Sequence, residues 1–73
     1  MEMTEHAKAM RQARKNCGMT IKDLSAASGI HSNCIGGYEL GKNDPSLSAV
    51  IAMADALHMS VDAYVGHERK GLF

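Results

Sequence analysis

Imidazole, hydroxyl, carboxamide and thiol groups follow one another at His31-Ser32-Asn33-Cys34. Histidine and cysteine are zinc ligands, but a zinc site needs about four donors. No second pair stands at a suitable spacing, so no metal site is expected. Nucleophilic catalysis meets the same obstacle. No motif places a Ser/His/Asp or Cys/His set in a cleft, and a chain of 73 residues has little room for a deep pocket. The reading is therefore of a non-enzyme with no cofactor. The six methionines are expected to fill gaps in a core or to start the chain, not to bind metal.

The elements that position these residues are constrained by size. The length suits one domain spanning 1–73, which buries only about 60% of its unfolded surface. An apolar fraction of 45% argues against disorder. Aromatics are limited to Tyr38, Tyr64 and Phe73, so Leu, Ile, Val, Met and Ala must build the core. That composition suits helices better than strands. The net charge is zero but unevenly spread: residues 1–43 carry +2 and residues 44–73 carry −2. Such polarity can orient a protein on a polyanion, though weakly. No apolar run approaches the roughly 18 residues that span a bilayer, and the N-terminus lacks a signal-peptide pattern. A cytoplasmic location without membrane contact is expected, with Cys17 and Cys34 as reduced thiols.

The period of the apolar residues is helical. A first helix is predicted from Thr4 or Glu5 to about Asn16, with Thr4 as N-cap and Ala7, Met10 and Ala13 on one face. Lys8, Arg11 and Lys15 form a solvated face. Gly18 ends this helix. Thr20 is predicted to cap a second helix, with Asp23 completing a capping box and Leu24 and Ala27 facing inward. Ser28-Gly29 stops it, and Ile30 is the first buried residue after the turn. His31 or Ser32 caps a third helix with Ile35 and Tyr38 inward, closed by Leu40-Gly41. After the polar loop Lys42-Asn43-Asp44-Pro45, Ser46 caps a fourth helix whose inward stripe is predicted as Leu47, Val50, Met53, Ala54 and Leu57. Ser60 caps a short fifth, with Val61, Tyr64 and Val65 inward, ending near Gly66. In the tail 67–73, Leu72 and Phe73 either fray or dock on the body or on a partner chain.

Thr20 to Glu39 thus reads as two short helices around Ser28-Gly29-Ile30. A turn this tight needs glycine at its corner. Leu24, Gly29, Ile30, Ile35 and Tyr38 let the pair share a small core while the second helix projects outward, with a size that fits a major groove. The stretch is similar to the phage repressor/Cro-type helix-turn-helix family of transcriptional regulators. The flanks extend the resemblance over about residues 7–66: Arg11-Gln-Ala-Arg14 and Gly18-Met19-Thr20 before it, Tyr38-Glu-Leu-Gly-Lys42, Pro45-Ser-Leu47, Ala54-Asp-Ala-Leu57 and Met59-Ser-Val-Asp62 after it. The resemblance implies an all-α, lambda-repressor-like domain of five short helices. It implies sequence-specific binding of double-stranded DNA as a homodimer, with the recognition helix, about 31–39, in the major groove.

The same resemblance assigns roles to particular residues. Arg14 matches an arginine paired with a glutamate matching Glu39, a structural ion pair. Ser32 and Asn33 match positions that read base edges, with Gly37 a further such position one turn on. Phosphate contacts map to Thr20, Ile21 and Lys22 and to the loop residues Lys42 and Asn43. Backbone N–H groups at a helix start attract phosphate, so Ile21 need not use its side chain. Simpler roles stand beside these: helix capping for Ser32 and Asn33, solvated charge for Lys22 and Lys42. Two departures matter. Ile21 stands where many members carry glutamine, and Gly36-Gly37 lies inside the recognition helix, each glycine costing about 1 kcal/mol. The glycines either let backbone approach DNA closely or mark a helix that reads sequence weakly. Two further readings stay open: an antitoxin-like or anti-repressor protein-interaction module on the same fold, and an architectural DNA binder with little sequence preference.

Overall fold

A computed structural model describes residues 5–66. These residues form five α-helices and no strand: α1 (Glu5–Asn16), α2 (Ile21–Ser28), α3 (Ser32–Glu39), α4 (Leu47–Ala56) and α5 (Val61–Val65). The predicted cap at Thr4 and the predicted docking of Leu72 and Phe73 fall outside the described residues.

Local chemistry sets the helix starts. Thr20 Oγ1 accepts the Asp23 N–H at 3.0 Å while the Asp23 carboxylate accepts the Thr20 N–H at 3.0 Å, so both halves of the capping box are present. Those hydrogen bonds, the backbone one first, hold the Asp23 carboxyl below its ordinary pKa. Ser46 and Ser60 accept the N–H groups of Ala49 and Ala63 in the same way. Gly29 closes α2 with φ 78°, a left-handed conformation that a side chain would strain.

Packing follows from the apolar stripes. α1 lies against α3 and α5, α2 against α3 and α4, and α4 against α5. Met10, Leu24, Ile35, Met53 and Tyr64 are the largest fully buried side chains where these helices meet. Each closes on side chains from at least one other element, and full burial of such a residue is worth roughly 1.5–3 kcal/mol. The helices are short, and this shared core stabilises them more than propensity does.

Two expected core residues are outside it. Leu47 is 71% exposed. The buried residues near it are Ala49, Val50, Met53, Ala54 and Leu57, at i, i+1, i+4, i+5 and i+8. Spacing of 100° per residue puts Leu47 about a quarter turn off the centre of that stripe. Ala49, absent from the expectation, takes the place. Ala27 is likewise exposed. The inner side of α2 is Ile21, Leu24, Ser25 and Ser28, so two serines occupy positions where an apolar search finds nothing.

Candidate nucleic-acid interface

Those two serines build the turn between α2 and α3. The Ser25 hydroxyl donates to the Ile30 carbonyl at 2.6 Å, and Ser28 Oγ accepts the Ile30 N–H at 3.2 Å. Both backbone groups of Ile30 are satisfied inside a turn that has no helical partner for them. Ile30 itself packs against the core. This fixes where α3 begins.

The cap of α3 is His31, whose Nδ1 accepts the Asn33 N–H at 3.1 Å. Capping is therefore the work of the imidazole. The side chains of Ser32 and Asn33 take no part in it, and neither makes a hydrogen bond among the described residues. Cys34 follows them, exposed and free, as is Cys17. Among the described residues, no three His, Cys, Asp or Glu side chains group so as to hold a metal ion.

The far end of α3 is tied down by charge. Arg14 Nε and Nη2 donate to the two carboxylate oxygens of Glu39 at 2.9 and 3.0 Å, a bidentate pair. Arg14 is 7% exposed and Glu39 2%. The third donor, Nη1, reaches the Met19 carbonyl at 2.7 Å, just before α2. One guanidinium thus joins α1, the α1–α2 connection and the last residue of α3. The hydrogen bonding to Glu39 raises the Arg14 pKa, outweighing the desolvation that lowers it. Tyr64 lies beneath, its pKa raised first by burial and then by the Glu39 charge.

Between these anchors the outward side of α3 opens into a groove of about 540 Å³ lined by Ile21, Ser32, Asn33, Gly36, Gly37, Leu40, Lys42 and Asn43. Six of the eight residues expected to meet DNA line it. The other two, Thr20 and Lys22, are exposed and flank Ile21 in sequence. The side chains of Lys22, Lys42 and Asn43 make no hydrogen bond or ion pair among the described residues. Thr20, Ser25, Ser28, Ser46 and Ser60 by contrast all spend their hydroxyls on backbone groups. The groove is a concave, mixed apolar and polar surface at a projecting helix, and its polar side chains have no partner among the described residues.

Gly36 and Gly37 form its floor, and they are not equivalent. A Cβ on Gly36 would meet nothing within 4 Å, whereas one on Gly37 would stand 2.7 Å from Asn43 Nδ2. The Gly37 carbonyl also accepts the N–H groups of Lys42 and Asn43 at 3.0 and 3.4 Å. Leu40, 55% exposed at the groove's end, is a lining residue that sequence reading missed. Its sequence position marks it as a helix terminator, and its exposure follows only from the tertiary placement of α3.

The family model for helix-turn-helix proteins of the Cro/C1 type, HTH_3, matches residues 10–64. The chain belongs to this family. Its members are DNA-binding transcriptional regulators, and the five-helix, strand-free fold is theirs. Among solved structures, the restriction-modification controller protein C.AhdI from Aeromonas hydrophila is similar, with TM-score 0.79 and 25% identity over 82% of this chain and 91% of that one. An HTH_3 family transcriptional regulator from Vibrio cholerae aligns with TM-score 0.80 at 20% identity, a likeness of fold. That match covers 88% of this chain and 36% of the Vibrio protein. No curated protein matches the sequence. No helix of the described residues is long and apolar enough to cross a membrane.

Proposed function

We propose that this helix-turn-helix regulator binds double-stranded DNA sequence-specifically as a homodimer, laying α3 in the major groove of each half-site. Ser32 and Asn33 read base edges. The N-terminus of α2, at Thr20, Ile21 and Lys22, and Lys42 in the loop after α3 hold the flanking phosphates, with Asn43 beside Lys42 on the DNA-facing side. The observation that carries the reading is the convergence of six expected contact residues on one groove, with their polar side chains unpaired. Serine and asparagine offer donors and acceptors that base edges complement, and a carboxamide can engage adenine bidentately. The extent of the match to C.AhdI, a controller protein, supports regulation by a domain of this size.

A dimer is expected because one module on DNA buries only roughly 600–1,000 Å², while two on half-sites about 34–36 Å apart supply usable affinity. Selection from a random duplex library followed by fluorescence anisotropy tests the proposal. With about six phosphate contacts per dimer, log K against log salt has a slope of about −5. Asn33→Ala weakens the selected site by about 1–3 kcal/mol, and Lys42→Ala weakens all duplexes alike. Equal affinity for selected and random duplexes, or a slope near zero, would show that the assignment is wrong.

A further inference from the structure

The pair Gly37–Asn43 carries one step more, which rests on the reading just given. The chain turns back at the end of α3 through Gly41, φ 77°, and the residue-37 carbonyl takes the N–H groups of both Lys42 and Asn43. The loop therefore returns along the outward side of α3. Its Asn43 side chain ends where a residue-37 side chain would begin, with Nδ2 2.7 Å from that Cβ position. The carboxamide lines the same groove as Ser32 and Asn33 and makes no hydrogen bond of its own.

We infer that Asn43 is a base-reading residue, supplying from the loop the group that Gly37 cannot supply from the helix, and that it recognises adenine. A phosphate clamp at this position needs only a donor pointed away from the helix. Here the amide instead lies over the helix, beside the floor that would face the base edges. Its oxygen and nitrogen match the N6 donor and N7 acceptor of adenine, the pairing that carboxamides make best. The absence of Cβ atoms at 36 and 37 then has a purpose. Gly36 leaves open floor that base edges can approach, and Gly37 leaves the space in which the Asn43 carboxamide lies, in the groove that Asn33 also lines. Leu40 adds an exposed apolar group at the far end, suited to a thymine methyl. The ligand is thus a half-site containing A·T pairs, read by two separate asparagines.

The test is a base-by-base affinity profile of the selected duplex for the wild type and for Asn43→Ala, Gly37→Ala and the double variant, with thermal melts to establish folding. Asn43→Ala is expected to lower discrimination at one A·T pair about 10- to 100-fold, leaving the salt slope and random-duplex affinity within about twofold. Gly37→Ala, which displaces the amide without removing it, lowers discrimination at the same pair, and the double variant adds nothing. Asn33→Ala acts at a different pair. A uniform loss on every duplex, selected and random alike, would make Asn43 a phosphate contact and overturn the inference while leaving the DNA-binding proposal intact. An unchanged profile would do the same. A wild type that selects no sequence would overturn both.

Discussion

Replacing Arg14 by methionine isolates the anchor that sets α3 at its angle. The substitution keeps much of the aliphatic stem but removes three donors. The Glu39 carboxylate, 2% exposed, loses both its hydrogen bonds, and the Met19 carbonyl loses its bond to Nη1. Stranding one charge of a buried pair costs roughly 3–5 kcal/mol. Against a domain of this length, whose total stability is of the order of 4–11 kcal/mol, that is a large share. Each kcal/mol moves the melting temperature by about 4–8 °C, so Arg14→Met is expected to melt at least about 12 °C lower. Glu39→Met strands the guanidinium instead and costs a comparable amount. The double variant Arg14→Met/Glu39→Met leaves no buried charge, only the Met19 carbonyl short of a partner, and should lie within about 1–2 kcal/mol of wild type. Urea unfolding of the four proteins, followed by the helical circular dichroism signal, gives the coupling energy directly. A double variant as unstable as the sum of the single ones would refute the reasoning, since the two side chains would then act independently.

Three other outcomes follow from the packing. Gly36→Ala enters open space at a helical position and should stabilise the fold by about 1 kcal/mol, whereas Gly37→Ala gains less or loses because it meets Asn43; comparative melts decide. Met53→Ala should cost about 2–5 kcal/mol and Leu47→Ala under about 0.5, a contrast that denaturant titration checks and that a shared core role for Leu47 would erase. Burial raises the Tyr64 pKa, so the folded state disfavours the phenolate. The stability this phenol contributes is whole below its unfolded pKa of about 10 and is lost as pH climbs above that value toward the folded one. Tyr64→Phe forfeits only the weak hydrogen bond to Met53 Sδ, so it should flatten the alkaline fall in melting temperature at little cost near neutrality.

Helix starts were legible because Thr20, Ser46 and Ser60 act within three residues, a range that sequence spacing displays directly. The turn at Gly29 was legible for the same reason. Burial was less so. In α4 the apolar pattern points to Leu47 as the first residue of the stripe, but Ala49 is the better-placed one and the other four positions agree. On α2, serines at 25 and 28 face inward because their hydroxyls satisfy Ile30, a partner that no periodicity in apolar residues reveals. The Arg14–Glu39 pairing spans 25 residues and came from family likeness, not from spacing.

The groove marks the deeper difference. Sequence reading could name Ser32, Asn33, Lys42 and Asn43 but had to leave Gly36-Gly37 as a puzzle, because a glycine pair in an eight-residue helix looks like a weakness. The structure separates the two: Gly36 faces open space, and Gly37 leaves room for the Asn43 carboxamide. A side chain at 37 would meet the Asn43 carboxamide and turn it aside, while the backbone bonds to the Gly37 carbonyl would remain. Helix propensity is given up at one residue, about 1 kcal/mol, and the room it leaves is taken by a side chain of the following loop. On the inference drawn above, specificity would be distributed between a helix and its following loop. Changes to either Gly37 or Asn43 should be judged by which base pair they affect, because stability alone would rank them in the wrong order.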